Sequence, residues 1–137
     1  MSVLDSSALV AYLKNEPGAP VVADLFADTD IELYVHSANL CETFHIIWRR
    51  DGEAKANIAI DKLLDLGVVE RSDMDGEFWR DAGSLIATRR LAGASLPLGD
   101  ALGVALARRL DTEFVTSDKH EIAPLHDAGL VQAFFIR

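Results

Sequence analysis

Short runs of β-branched and aromatic residues alternate along this chain with longer stretches in which apolar positions recur every three or four residues. Val3 and Leu4 read as the end of a buried strand, and Ser6 or Ser7 stands where a hydroxyl can cap the helix "SALVAYLKNE". Pro17 and Gly18 stop that helix, and Val21, Val22, Leu25 and Phe26 give the stripe of a second, short one. "IELYVHS" is the next strand. Ala38 to Arg50 lacks breakers and predicts a helix, separated by Gly52 from another that runs to about Leu66. "GVVERS" is a brief strand, and Phe78, Ala82, Leu85 and Ile86 mark a helix face continuing to about Leu91. "AGASLPLG" reads as a loop, "DALGVALARRL" as a helix, "TEFVTSD" as a strand, "KHEIAPLHDAG" as a short helix or turn, and "LVQAFFI" as the last strand. This alternation predicts an α/β fold: one domain over residues 1–137, with a mainly parallel central sheet of about five strands flanked by helices.

Composition narrows the picture. A chain of 137 residues, half of them apolar, sits near the modal domain size and can bury a core of its own. No apolar run approaches the roughly 20 residues needed to cross a bilayer, and the amino terminus has neither a basic start nor a cleavable apolar segment, so a cytosolic protein is expected. Cys41 is the sole cysteine. It excludes an internal disulfide, and within "ANLCETFHIIW" it is expected to be a small buried hydrophobe, not a nucleophile. The 22 acidic residues against 13 basic ones give a net charge of −9, which opposes general adhesion to nucleic acid or anionic membrane. A polyanion would have to be met by local basic patches or bound cations. Arg49 with Arg50, Arg89 with Arg90, and Arg108 with Arg109 are candidate patches, although each pair also suits the carboxyl end of a helix.

The acids carry the chemistry. Asp5 follows the first strand and Asp118 follows "EFVTS", so parallel strands would set both on the same edge of the sheet. Glu42, near the start of the helix after the second strand, and Asp100, in the first turn of the helix after "LPLG", can lean over that edge. Singly, each suits a cap or helix-dipole role. Together, converging carboxylates raise one another's pKa and destabilise a fold unless something neutralises them. Oxygen ligands without cysteine or paired histidines suit Mg²⁺ or Mn²⁺ better than zinc, and Mg²⁺ typically bridges to phosphate, which leads toward phosphodiester hydrolysis. His36, His45, His120 and His126 form no metal-binding pair and read as surface or packing residues, with His120, beside Asp118, the nearest to substrate.

The blocks "VLDSSALVAYL", "HSANLCETF", "LPLGDALGVALARRLDTEFVTSD" and "KHEI", in this order over nearly the whole chain, resemble a PIN domain, particularly the toxin ribonucleases of VapBC toxin–antitoxin systems. The resemblance implies acids gathered at the carboxyl edge of a parallel sheet that bind Mg²⁺ or Mn²⁺ and cleave RNA. It maps the site to Asp5, Glu42, Asp100 and Asp118, with Thr116 or Ser117, and Ser6 or Ser7, as supporting hydroxyls. Asp5 and Asp118 would be primary ligands, and Asp100 and Glu42 would hold a second ion or orient water. Two departures stand out: Gly103 in a helix expected to be bulkier, and Glu121 and Ile122 where an aspartate and an aromatic are expected, which leaves Glu121 an outer ligand at most. The same resemblance implies a cognate antitoxin, an RNA substrate and a homodimer, with Phe44, Trp48 and Trp79 available for contacts or for the core.

Two rivals are weaker. A haloacid dehalogenase-like phosphatase or a receiver domain needs further acids, or a late lysine, around its nucleophilic aspartate, and "DSSA" does not supply them. A catalytically inactive module that binds a protein or RNA would have no reason to keep mutually repelling carboxylates.

Overall fold

The computed structural model describes residues 1–137. Five strands, β1 (Ser2–Leu4), β2 (Leu33–His36), β3 (Val69–Arg71), β4 (Glu113–Thr116) and β5 (Ala133–Phe135), form one sheet in the order β3-β2-β1-β4-β5. Every pairing is parallel. The chain moves outward from β1 through β2 to β3, then crosses back to lay β4 on the other side of β1. The chain order reverses between β1 and β4, and the carboxyl ends of these strands are the position where open parallel sheets bind ligands.

Seven helices cover the sheet: α1 (Ser6–Leu13), α2 (Ala19–Ala27), α3 (Ser37–Asp51), α4 (Glu53–Asp65), α5 (Gly76–Leu91), α6 (Leu98–Arg109) and α7 (Lys119–Asp127). Alternation along the strands divides the core. Val3 and Phe114 face a cluster built with α5, α6 and α7, whereas Leu4, Val35 and Val115 face one built with α1, α2 and α4. Both faces of β1, β2 and β4 are largely buried, which is why these strands read as nearly continuous apolar runs, whereas the edge strands β3 and β5 are largely exposed.

Several expectations change in detail. Neither Ser6 nor Ser7 caps α1: Asp5 occupies the N-cap position, and its side chain makes no cap hydrogen bond. Helix α6 begins at Leu98, so the last two residues of the expected loop form its first turn. The final strand is confined to Ala133–Phe135, and "KHEIAPLHDAG" contains a true helix despite Pro124. Gly52, at φ +94°, separates α3 from α4 as its position predicts. Cys41 is exposed, not buried. The inward face of α3 is carried by Asn39, Leu40, Thr43 and Ile47, which turns Cys41 to solvent. Trp48 and Trp79 are both nearly half exposed, so neither is a core residue.

All three arginine pairs fall in the last turn of a helix, α3, α5 and α6 respectively, where their charge complements the helix dipole. His36 is structural. Its Nδ1 accepts from the Ala38 N–H and caps α3, Nε2 lies 2.9 Å from the Asp73 carbonyl, and the ring stacks on Phe78. No helix is long and apolar enough to cross a membrane.

Candidate active site

Register fixes the first carboxylate. Leu4 pairs with Val115 across β1 and β4, and the Asp5 N–H donates to the Val115 carbonyl at 2.9 Å, which sets Asp5 beside Thr116. The Asp5 side chain is 1% exposed. Its Oδ2 accepts from Thr116 Oγ1 at 2.7 Å and from Ser7 Oγ at 2.8 Å, while Ser6 reaches Oδ1 only at 3.5 Å. Of the four candidate hydroxyls, Thr116 and Ser7 therefore do the supporting. Ser117 contributes its backbone N–H instead, donating to Ser7 Oγ at 2.9 Å.

Thr116 also joins the two acids of the strand ends, because its Oγ1 accepts from the Asp118 N–H at 3.0 Å. The Asp118 carboxylate accepts from the Glu121 N–H at 3.1 Å through Oδ1 and caps α7. The capping role and a place at the edge thus coexist, since capping engages only one oxygen of the carboxylate.

Asp100 enters from the first turn of α6 and is 7% exposed. Burial pushes its carboxyl up to about 8, and the charges of Asp5, Asp118, Glu42 and Glu121 push in the same direction. Burial also raises Asp5, opposed by the hydrogen bonds from Thr116 and Ser7 and reinforced by the Glu42 charge. The charges of Asp5, Glu42, Asp118 and Glu121 thus all reach Asp100 at this edge of the sheet, where Thr116 also ties Asp5 to Asp118. None of the five takes part in an ion pair with a basic side chain.

Two residues unremarked in the sequence set the approach of α3 to α6. Asn39 is fully buried and donates from Nδ2 to the Gly99 carbonyl at 3.1 Å. A Cβ at Gly99 would lie 3.2 Å from Glu42 Oε2, so the bare backbone there lets Glu42 settle against the turn that carries Asp100. A Cβ at Gly103 would lie 2.7 Å from Asn39 Oδ1 and 2.8 Å from the Phe114 ring, so this glycine is required by packing although it weakens the helix. Asn39 Oδ1 is buried without a hydrogen-bond partner. The i, i+3 spacing of Asn39 and Glu42 was the available signal.

The donor set suits a hard divalent cation: all its donors are oxygens, its charge has no internal counterion, and Asp5 is oriented by hydroxyls. The other acids are close enough to perturb the ionisation of Asp100, but no three acidic, histidine or cysteine groups are drawn in to coordination distance. His45, His120 and His126 are exposed and none supplements the acids.

Comparison with known proteins agrees with this architecture. No curated protein matches the chain in sequence. Among solved structures, DNA-bound VapBC from Salmonella typhimurium superposes with a TM-score of 0.78 at 14% identity, covering 99% of this chain and 98% of that one. The sarcin–ricin-loop-cleaving toxin VapC20 of Mycobacterium tuberculosis gives 0.73 at 17% identity over 90% and 95% of the two chains. VapBC-1 from nontypeable Haemophilus influenzae gives 0.72 at 18% identity over 98% and 97%. At these identities the likeness is one of fold. The family model described as "PIN domain" matches residues 2–123, and on that match, with a five-stranded parallel sheet and its acidic carboxyl edge in place, the chain belongs to the PIN domain family.

Proposed function

We propose that this chain is a divalent-metal-dependent endoribonuclease, folded as a single domain over residues 1–137, and the toxin of a toxin–antitoxin pair. One observation carries the reading: two buried carboxylates, Asp5 and Asp100, stand with Glu42, Asp118 and Glu121 at a crevice with no basic partner. Such a cluster weakens the fold, and its retention is explained by a ligand that needs it.

Asp5, Asp100, Asp118 and Glu42 would hold Mg²⁺ or Mn²⁺. The ion would supply charge stabilisation at a phosphodiester and an acidified water. The protein's own part is positioning. Thr116 and Ser7 hold Asp5 in one orientation, and their hydrogen bonds favour its charged form against burial. Asn39 and Gly99 bring Glu42 to the first turn of α6. Burial and the neighbouring charges push the Asp100 carboxyl up to about 8 in the metal-free protein, and a bound cation would favour its ionised form.

An antitoxin partner, a homodimeric state and a cytosolic location belong to the same reading and draw on the similarity to VapBC chains. The half-exposed Trp48 and Trp79 supply apolar anchors for such contacts. The test is cleavage of single-stranded RNA by purified protein with Mn²⁺ or with chelator. Cleavage by the wild type that requires the ion and is lost in Asp5→Asn supports the reading, and equal cleavage by both proteins overturns it.

A further inference from the structure

Three arginine pairs end three helices, but the structure treats them differently. Arg108 and Arg109 are committed to carboxylates: Arg108 to Asp81 at 2.9 Å, and Arg109 to Asp73 at 3.0 Å and Asp75 at 2.6 Å. Arg50 pairs with Glu16 at 3.1 Å. Arg89 and Arg90 have no ion pair, and Arg89 Nε is buried with no hydrogen-bond partner. A buried guanidinium N–H without an acceptor is costly, and the helix dipole that accounts for a basic last turn does not satisfy it.

These two arginines line a cavity of about 430 Å³ with Ser95, His120 and Glu121. Only one lining residue is hydrophobic. Glu121 connects this cavity to the acidic edge, because its backbone N–H donates to Asp118 Oδ1 at 3.1 Å. A cationic hollow therefore adjoins the acidic crevice on a molecule whose net charge is −9. Phosphate is the chemistry that matches such a pair: one phosphate on the acidic side through cations, the next on guanidinium and hydroxyl donors.

We propose that the Arg89–Arg90–Ser95–His120 cavity binds a backbone phosphate of single-stranded RNA adjacent to the phosphate placed at the acidic edge. The assignment rests on the nuclease reading and adds the position of the flanking nucleotide. Arg89 and Arg90 donate to phosphate oxygens, Ser95 offers a hydroxyl, and Glu121 marks the boundary where the strand passes from guanidinium to carboxylate.

The test uses full-length Asp100→Asn protein, so that RNA is not consumed, and a fluorescein-labelled single-stranded RNA of about ten nucleotides. Anisotropy is read against salt concentration in Mn²⁺ buffer. Arg89→Gln/Arg90→Gln is expected to weaken binding by about tenfold per arginine at low salt and to flatten the log K against log salt slope by about 0.7, the share of the one phosphate contact on a single strand. Arg89→Lys/Arg90→Lys is expected to keep the slope while losing part of the affinity, which separates charge from packing. A comparison variant with the same change in net charge, Arg49→Gln/Lys55→Gln, is expected to bind as the parent does. Inorganic phosphate at millimolar concentration that leaves the RNA bound supports a polymer site, whereas displacement of RNA by phosphate alone overturns it in favour of a free-anion pocket. Equal slopes for the parent and the double Gln variant, beside RNA cleavage by the wild type, overturn the cavity assignment and leave the nuclease reading intact. A wild type that neither binds nor cuts RNA overturns both.

Discussion

Replacing Asp100 with asparagine should remove activity and make the metal-free protein more stable at neutral pH. The side chain is 7% exposed at the first turn of α6, and its carboxyl titrates near 8 in place of 3.8. The folded state holds a proton there that the unfolded chain has released. Between those two values the native state binds more protons, so its stability falls as pH rises. The loss is at most about 1.4 kcal/mol for each pH unit, or about 4 kcal/mol between pH 5 and pH 8 from this one group. Asparagine keeps the shape and removes the titration. Urea denaturation in chelator at pH 5, 6, 7 and 8 should therefore show two curves that start close together and diverge, with the variant ahead by several kcal/mol at pH 8. Asp5 is raised as well and remains in both proteins, so the variant keeps a shallower slope of the same sign. Adding Mn²⁺ should close most of the gap by stabilising the wild type alone. Parallel curves for the two proteins, or a variant less stable at pH 8, would refute the claim that Asp100 is held in a crowd of like charges.

Other perturbations probe separate parts of the account. Thr116→Val removes the 2.7 Å hydrogen bond to Asp5 and the acceptor of the Asp118 N–H, and should lower Mn²⁺ affinity by about 10- to 100-fold in calorimetry with a native circular dichroism spectrum. Gly103→Ala should destabilise by about 1–3 kcal/mol in urea despite alanine's better helix propensity, because its Cβ would fall 2.7 Å from Asn39 Oδ1 and 2.8 Å from the Phe114 ring. Arg109 holds Asp75 down at about 2, and Arg71 with Arg109 lowers Asp73, so both carboxylates stabilise the fold above pH 4 and lose that effect in acid, Asp75 as pH falls through 2. Arg109→Ala should accordingly unfold more easily than wild type at pH 6 and converge with it near pH 2. Acid titration followed by circular dichroism reads this directly.

The elements most legible in the sequence were those whose local pattern and tertiary role agree. An apolar strand followed at once by an acid marked Asp5 and Asp118, and the register of β1 with β4 places both at the same edge. Gly52 fell where α3 ends, whereas α1 already ends at Leu13, short of the expected Glu16, and Gly18 instead caps the start of α2. The misreadings share a cause, which is that long-range packing outweighed local preference. The end of "LPLG" looked like loop, yet Leu98 and Gly99 open the first turn of α6, where Glu42 leaves little room for a side chain at Gly99 although glycine is a poor helix former. Gly103 looked like a defect for the same reason. Cys41 was expected inside because a free cysteine usually packs as a small hydrophobe, whereas α3 turns inward the face that carries Asn39 and Thr43. Thr43 satisfies itself on the Asn39 carbonyl at 2.8 Å, a bond with no signature in composition. Which hydroxyl supports Asp5 was equally hidden, since Ser6 and Ser7 are neighbours and only the twist of α1 against β4 brings Ser7 to within 3.2 Å of Thr116.

The central claim is that the acids at the carboxyl ends of β1 and β4 and on α3 and α6 form one cation-binding site. Isothermal titration of the metal-free protein with Mn²⁺, repeated on Asp5→Asn and Asp100→Asn, tests it most directly. Saturable binding in the wild type that is abolished or weakened at least tenfold in both variants is the predicted result; binding that is absent in the wild type, or undiminished in the variants, would contradict it.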